Sequence, residues 1–457
     1  MADTLSADRR REIETFVTDW MHEEEIPGAS LLLVDGEEVI YERGFGARDL
    51  ERNEPATPET LYGFASISKS VAALALMQLA EDGDLSVDDP VSEYVDYYDD
   101  APGEPITIEG LLTHTSGMPS TGAGLISQYY DLEPAGPMGD WEDHRSWVRQ
   151  TTDLRAIDRD RFFYYNTGYS VLSQIVEAVD GRRYADYVTE EIFEPLGMER
   201  STYDREEFEG DDDAMTPYRV RDGEREEVSF PFGETSHGSG GMLSSVRELS
   251  RYLRAMMTDG EFDGGRVCSA DSVEELQAPR TTRLHRLDGE PQHYGYGYIR
   301  EPLLDDELIG HSGSILVSTA YMGYLADEGL GVILACNASP ERHPRQIAPG
   351  VLALALGEEP TAVPQLALRE KLESVTGRYE GFREGMVAEV ERVGGELRMT
   401  MKSSYGDREI GLQPESLDPD DTTFRTTLAS SAEVPVEFDL DGETADLYHM
   451  RYRLQRV

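Results

Sequence analysis

Strand-forming sequence occurs at residues 29–46 and again at 293–336, with helical spacing through most of the chain between them. No other feature constrains the fold as strongly. In the first block, "ASLLLVDGEEVIYERGFG" gives two strand-like runs joined through Asp35-Gly36, a hairpin signal. In the second, the runs at 293–299, 308–311, 317–325 and 330–336 are linked by turns too short for a helical crossover, so they pair antiparallel. Helices are expected at 107–112, 168–180, 183–193 and 245–257, with loops at 119–145 and 204–229 and a closing helix near 343–356. Strands that bracket a helical middle predict an α+β domain, one antiparallel sheet flanked by helices plus a helical subdomain, over residues 1–356.

The texture changes after that. "GEEPTAVPQ" at 357–365 reads as a linker, and from 366 to 457 apolar residues alternate at period two, as in "GMVAEVERVGGELRMTMKS" around Gly394-Gly395. A separate small all-β barrel domain is expected there. Two domains suit 457 residues, and 39% hydrophobic residues supply a sizeable core. Cys268 and Cys336 exclude a multi-bridge disulfide framework and have no metal-ligand spacing.

At the N-terminus, Ile13, Phe16, Val17, Trp20 and Met21 recur at helical spacing behind Ser6, a capping residue. This predicts an amphipathic helix rather than a signal peptide. No run approaches the ~20 apolar residues of a membrane span, so a cytoplasmic protein is expected.

The charge balance excludes further classes. There are 91 Asp and Glu against 41 Lys and Arg, a formal net charge of -50. Nucleic acid and anionic membrane surfaces would be repelled. Such an acidic coat is tolerable where salt screens it, since the Debye length at molar salt is roughly 3 Å, and it resembles proteins from salt-accumulating cells. The acidic run "EGDDDA" at 209–214 lacks the spacing of a calcium loop.

Against this background lysine is rare: only Lys69, Lys371 and Lys402 occur. Lys69 stands three residues after Ser66 in "FASISKS", where a helix is expected from Ser66 to about Ala80, with Val71, Leu74, Ala75 and Leu79 on one face and Gly83 as its stop. Residues i and i+3 share a helical face, so the amine can meet the hydroxyl. Serine becomes nucleophilic when a base takes its proton. A lysine can be that base only if burial or positive potential lowers its pKa from about 10.4. Backbone amides at the helix start, that of Ser66 included, could bind an oxyanion.

Two later stretches complete a pattern. "FFYYNTGY" at 162–169 holds Tyr164 and Asn166, and "IGHSGSILV" at 309–317 holds His311 and Ser314. Taken singly, Tyr164 reads as an aromatic core residue and Asn166 as a helix cap. Ser-x-x-Lys, Tyr-x-Asn and His-x-Gly in this order resemble the class C β-lactamase-like serine hydrolases, whose members include penicillin-binding proteins, esterases and D-amino-acid peptidases. "LLTHTSGMPS" at 111–120 and "GSGGMLSS" at 238–245 are also phrases of that family, and the likeness spans about 30–355.

The resemblance implies Ser66 as acylated nucleophile, Lys69 as its base and Tyr164 as proton shuttle to the leaving group and the deacylating water. It implies that Asn166 holds Lys69 and the substrate, that His311 stands where many relatives have lysine, and that the amides of Ser66 and Ser314 form an oxyanion hole. On this likeness Tyr164, with a reference pKa near 10, could act as a base only if Lys69 and His311 favour its phenolate. Histidine at 311 is more typical of peptidases and esterases than of β-lactamases. The barrel, opening with "TGRYEGF" at 376–382, resembles a lipocalin-like C-terminal domain of such relatives, placed beside the cleft or used in homo-oligomer assembly.

The expected function is therefore a serine hydrolase acting through an acyl-enzyme on small-molecule esters or on amide and peptide bonds. β-Lactam binding or hydrolysis, and a non-catalytic binding protein on the same fold, are the alternatives. No Gly-x-Ser-x-Gly elbow supports an α/β-hydrolase. The chemistry implies no cofactor, and the nine histidines form no close metal-ligand set. His114 and His237 read as structural.

Overall fold

The computed structural model describes residues 5–120, 140–157, 161–221, 223–404, 406–441 and 444–457. They fall into two units: Met1–His285 with Pro291–Leu356, and Gly357–Val457 with Arg286–Glu290.

The first unit is built on a nine-stranded antiparallel sheet. Across it run Thr281–His285, Pro291–Tyr294, Ile299–Leu303, Asp306–Ile315, Ser318–Leu325, Leu330–Cys336, Gly28–Asp35, Glu38–Asp49 and Glu54–Pro55. The two ends of the α+β region thus meet: Gly28–Asp35 pairs with Leu330–Cys336 from Ala29↔Cys336 to Asp35↔Leu330. The hairpin after Asp35 turns at Gly36, whose φ of +55° favours glycine. Ser318–Leu325 and Leu330–Cys336 are buried at every position, which is why they read as unbroken apolar runs rather than as an alternation.

The helices cover both faces. Leu32 and Val34 join the core that holds Ser68–Asp82 and Val246–Met257. Leu31 and Leu33, equally buried, point the other way by the period of two. The first helix, Ala7–Glu23, is capped by Ser6, which accepts from the Arg9 amide, and it buries Ile13, Val17, Trp20 and Met21. Ser68–Asp82 is buried nearly all round, and Gly83 ends it at φ +80°.

Several readings need correction. The run at 293–299 is two strands broken at Gly297, whose φ is +78° and where any Cβ would lie 2.7 Å from Ser70 Cα. A further strand, Thr281–His285, precedes them. The stretch 204–229 holds a helix, Arg205–Gly210, capped by Asp204, and a hairpin, Tyr218–Arg221 with Glu224–Glu227. Of the loop read at 119–145, residues 121–139 lie outside the described residues, and Trp141 begins a helix that extends to Thr151. The caps Asp204 and Asp140 are single acids within acid-rich stretches, so they do not stand out in the sequence.

In the second unit eight strands, from Gly377–Glu380 to Tyr452–Arg456, close into a barrel. Period-two alternation turns Val390, Leu397, Met399, Leu412, Phe424 and Leu447 inward. The unit is not all β: the stretch read as a linker carries a 3₁₀ turn, Pro360–Ala362, and the start of an 11-residue helix, Pro364–Ser374. Proline at the first helical position is favourable because its missing N–H has no partner there.

Candidate active site

The turn that carries Ser66 is fixed from several directions. Ala65 adopts φ +45°, a left-handed conformation that is costly for a non-glycine residue. A short 3₁₀ turn, Ala65–Ile67, leads into Ser68–Asp82. Ser68 Oγ donates to the Ala65 carbonyl at 2.6 Å and accepts from the Met242 amide at 3.0 Å. Phe64 N donates to the Met242 carbonyl at 2.9 Å. Segment 238–242 therefore braces the Ser66 turn, and Gly238 permits it: a Cβ there would lie 2.4 Å from the Tyr169 carbonyl oxygen.

Lys69 is fully buried. Its Nζ lies 3.1 Å from Ser66 Oγ, 2.8 Å from Asn166 Oδ1 and 2.6 Å from the Ser239 carbonyl oxygen. Among the described residues no carboxylate is within ion-pair distance. Burial pushes its pKa well below that of an ordinary lysine. The amine also sits 5.0 Å from the centre of the Tyr164 ring and 5.5 Å from that of Tyr169.

Tyr164 and Asn166 enter from the start of the helix Asn166–Asp180. The N-cap position belongs to Tyr165, so Asn166 is not the cap, and its carbonyl is committed to Lys69. Burial raises the Tyr164 phenol, while the neighbouring Ser66 and the charge of Arg283 pull it partly back.

His311 stands one step behind. Its Nδ1 lies 2.7 Å from the Ser312 carbonyl, which can only accept, so Nδ1 carries the proton. Nε2 then accepts from the Tyr294 hydroxyl at 3.1 Å. Burial depresses its pKa to about 3, with the Lys69 charge second. A neutral His311, its ring centre 6.3 Å from that of Tyr164, lends no positive charge to a phenolate. The condition for a Tyr164 phenolate is disfavoured, because burial works against charge on all three groups.

Ser314 is exposed, on a strand pressed against the Ser66 turn. Gly313 makes that approach possible: a Cβ on it would lie 2.0 Å from the Phe64 carbonyl oxygen. The structure thus joins Ser66, Lys69 and Asn166 by hydrogen bonds, sets the Tyr164 ring against the Lys69 amine, lays the Gly313–Ser314 strand beside them and holds His311 through Tyr294.

Ser239, His343, Arg283 and Tyr294 escaped the sequence reading, and His114, read there as structural, joins them at the site. Ser239 offers only a carbonyl, which residue type does not reveal. His343 Nδ1 accepts from the Arg345 amide at 3.0 Å, so Nε2 carries the proton and donates to the Gly313 carbonyl at 2.9 Å. In a trans peptide the C=O and the following N–H point oppositely, so this contact aims the Ser314 amide away from His343. His114 is buried at φ +60°, accepts from the Tyr165 amide at 3.0 Å through Nδ1, and lies 4.5 Å from Tyr164 between ring centres. Arg283, whose pKa burial lowers, acts electrostatically on Tyr164. The aromatic run "HYGYGY" was the one signal available for Tyr294.

A buried lysine bonded to a serine hydroxyl, beside a tyrosine and a glycine-bearing strand, on an antiparallel sheet with a helical body, defines a β-lactamase-like hydrolase fold. The chain belongs to the beta-lactamase family, whose model matches residues 13–357. Residues 360–455 match a second model, the Pab87 octamerisation domain. Over 98% of this chain and all of the other, the fold is similar to the octameric penicillin-binding protein homologue from Pyrococcus abyssi, with TM-score 0.88 and 35% identity. The class C beta lactamase from Rhodobacter sphaeroides, 20% identical with TM-score 0.60 over 76% of this chain and 98% of that one, shares the fold. The chain is also 26% identical over 352 residues to Protein flp of Staphylococcus aureus (strain MW2), covering 75% of this chain and 66% of that protein's length.

Proposed function

We propose that the protein is a serine hydrolase that forms an acyl-enzyme on Ser66 from small esters or from amide or peptide bonds, D-aminoacyl substrates among them. The carrying observation is the surroundings of the Lys69 amine. A neutral amine has two hydrogens and one lone pair. Asn166 Oδ1 at 2.8 Å and the Ser239 carbonyl at 2.6 Å take the two hydrogens. The lone pair is left to accept the Ser66 proton across 3.1 Å.

On attack, Ser66 Oγ bonds to the substrate carbonyl carbon and its proton moves to Lys69 Nζ. The oxyanion is met by the amides of Ser66 and Ser314. Tyr164, kept a phenol by burial, donates its proton to the departing alkoxide or amine and is reprotonated by the Lys69 ammonium, so that one proton passes, net, from Ser66 to the leaving group. Water then takes the leaving group's place and the steps reverse. Neutral His311 and Tyr294 hold the strand without adding charge. Histidine at 311, which on the family resemblance is more typical of esterases and peptidases than of β-lactamases, favours ester or peptide substrates.

Residues 1–356 would carry this chemistry, and the barrel at 366–457 would assemble copies of the chain, a role supported by the match to an octamerisation domain. Steady-state hydrolysis of p-nitrophenyl esters and of D- and L-aminoacyl p-nitroanilides tests the reading. Ser66-dependent turnover of at least one class is expected. Turnover equal in wild type and Ser66→Ala would overturn it.

A further inference from the structure

Away from Ser66, a groove of about 690 Å³ lies between the first helix, the strand Glu38–Asp49 and the helix Val246–Met257. Arg10, Arg43, Arg247, Arg251 and Arg254 all line it, and only Glu14, Glu42 and Asp263 line it with opposite charge. In a chain of net charge -50 this is a local inversion of sign.

Two of the arginines are neutralised. Arg43 pairs with Glu14, which also accepts from the Tyr41 hydroxyl, and Arg247 pairs with Glu42 and Glu59. The other three have no carboxylate within ion-pair distance among the described residues. Arg251 donates to the Leu196 carbonyl at 3.4 Å, and the Arg254 guanidinium lies 4.9 Å from the centre of the Phe262 ring. The Nε atoms of Arg10 and Arg254 are buried and carry no hydrogen bond.

The arrangement is unfavourable for the protein alone. Arg247, Arg251 and Arg254 stand at i, i+4 and i+7, on one helical face, where like charges repel by a few tenths of a kcal/mol per pair. Buried donors left unsatisfied add to that cost. A guanidinium presents its donors in a fork that matches phosphate and carboxylate oxygens.

We propose that this groove is a binding site for a small polyanion, a molecule with two or more phosphate or carboxylate groups, held by Arg10, Arg251 and Arg254. The site is separate from the Ser66 chemistry and does not depend on it.

Calorimetric titration of the full chain with inorganic pyrophosphate and, separately, with citrate tests this at several KCl concentrations. Saturable binding of one probe is expected, weakening as KCl rises. Its affinity should fall about tenfold or more in Arg251→Gln/Arg254→Gln. Arg10→Gln, on a different helix, should weaken it similarly while circular dichroism and ester turnover stay unchanged. Tighter binding of pyrophosphate than of citrate marks the ligand as a phosphate compound, and the reverse as a polycarboxylate. Failure of both probes to saturate at concentrations on the order of 10 mM, or affinity unchanged in the arginine variants, overturns the proposal. So does a change of sedimentation coefficient in the variants without probe binding, which would make the groove a contact between copies.

Discussion

Lys69 Nζ lies 3.1 Å from Ser66 Oγ, and among the described residues no carboxylate stands near enough to hold a proton on that amine. Burial lowers the lysine pKa, so the free base is present from that lowered value upward. Single-turnover acylation should rise with pH through it and then level off. Since His311 is already neutral above about 3, no histidine limb is expected between pH 5 and 8, and His311→Asn should leave the shape of the profile unchanged. Between the lowered pKa and 10.5 the unfolded chain holds a proton that the folded chain lacks, so the contribution of Lys69 to stability grows as pH rises.

Replacing Lys69 by arginine keeps a cation but removes a usable base. Acylation by a p-nitrophenyl ester should fall by about 10²–10⁴-fold, the range of a positioned general base. Stopped-flow measurement of the first turnover checks this, and an undiminished burst would take Lys69 out of the base role.

Tyr164→Phe should discriminate between leaving groups. p-Nitrophenolate departs without a proton, whereas an alkoxide or amine needs one. Acylation should therefore suffer much more with alkyl esters and anilides than with p-nitrophenyl esters, a contrast read from kcat/KM for matched acyl groups. Equal losses would argue that Tyr164 only packs.

Gly313→Ala places a methyl 2.0 Å from the Phe64 carbonyl oxygen if nothing moves. The strand must shift away from Ser66, costing about 1–3 kcal/mol of stability. Catalysis should fall further than KM rises, as the Ser314 amide leaves its place. Thermal unfolding together with kcat and KM measures both effects.

Of the three lysines, Lys69 and Lys371 are wholly buried. Lys371 Nζ meets the Ser416 carbonyl at 2.9 Å, Ser416 Oγ at 3.1 Å and Asp421 Oδ2 at 3.5 Å. Lys371→Met should lower barrel stability by about 1–3 kcal/mol, through unsatisfied acceptors. Denaturant unfolding followed by circular dichroism reads it, and an unchanged midpoint would contradict it.

The sheet was legible because its strands are either continuously apolar, as in "LGVILAC", or alternate cleanly, as in the barrel. The helix Pro364–Ser374 was missed because proline suggested a linker, although at the first helical turn it costs nothing. Ser66 and Lys69 stand out by residue type and spacing, whereas Tyr164 and Asn166 are singled out only by the resemblance of three ordered motifs to the class C β-lactamase-like family. The Ser239 carbonyl, the left-handed Ala65 and the His343 contact to Gly313 could not be found in this way, because backbone groups and partners distant in sequence leave no local pattern. The neutrality of His311 leaves no mark in the sequence for the same reason: its burial and its bond to Tyr294 exist only in the folded chain.

The central claim is that Ser66 is acylated with Lys69 as its base. Intact-mass spectrometry after exposure to a fluorophosphonate measures it most directly. One adduct per chain, mapped to Ser66, is expected for wild type, with none on Ser66→Ala and little on Lys69→Arg. A folded wild-type protein that stays unmodified, or an adduct that persists in Ser66→Ala, would contradict it.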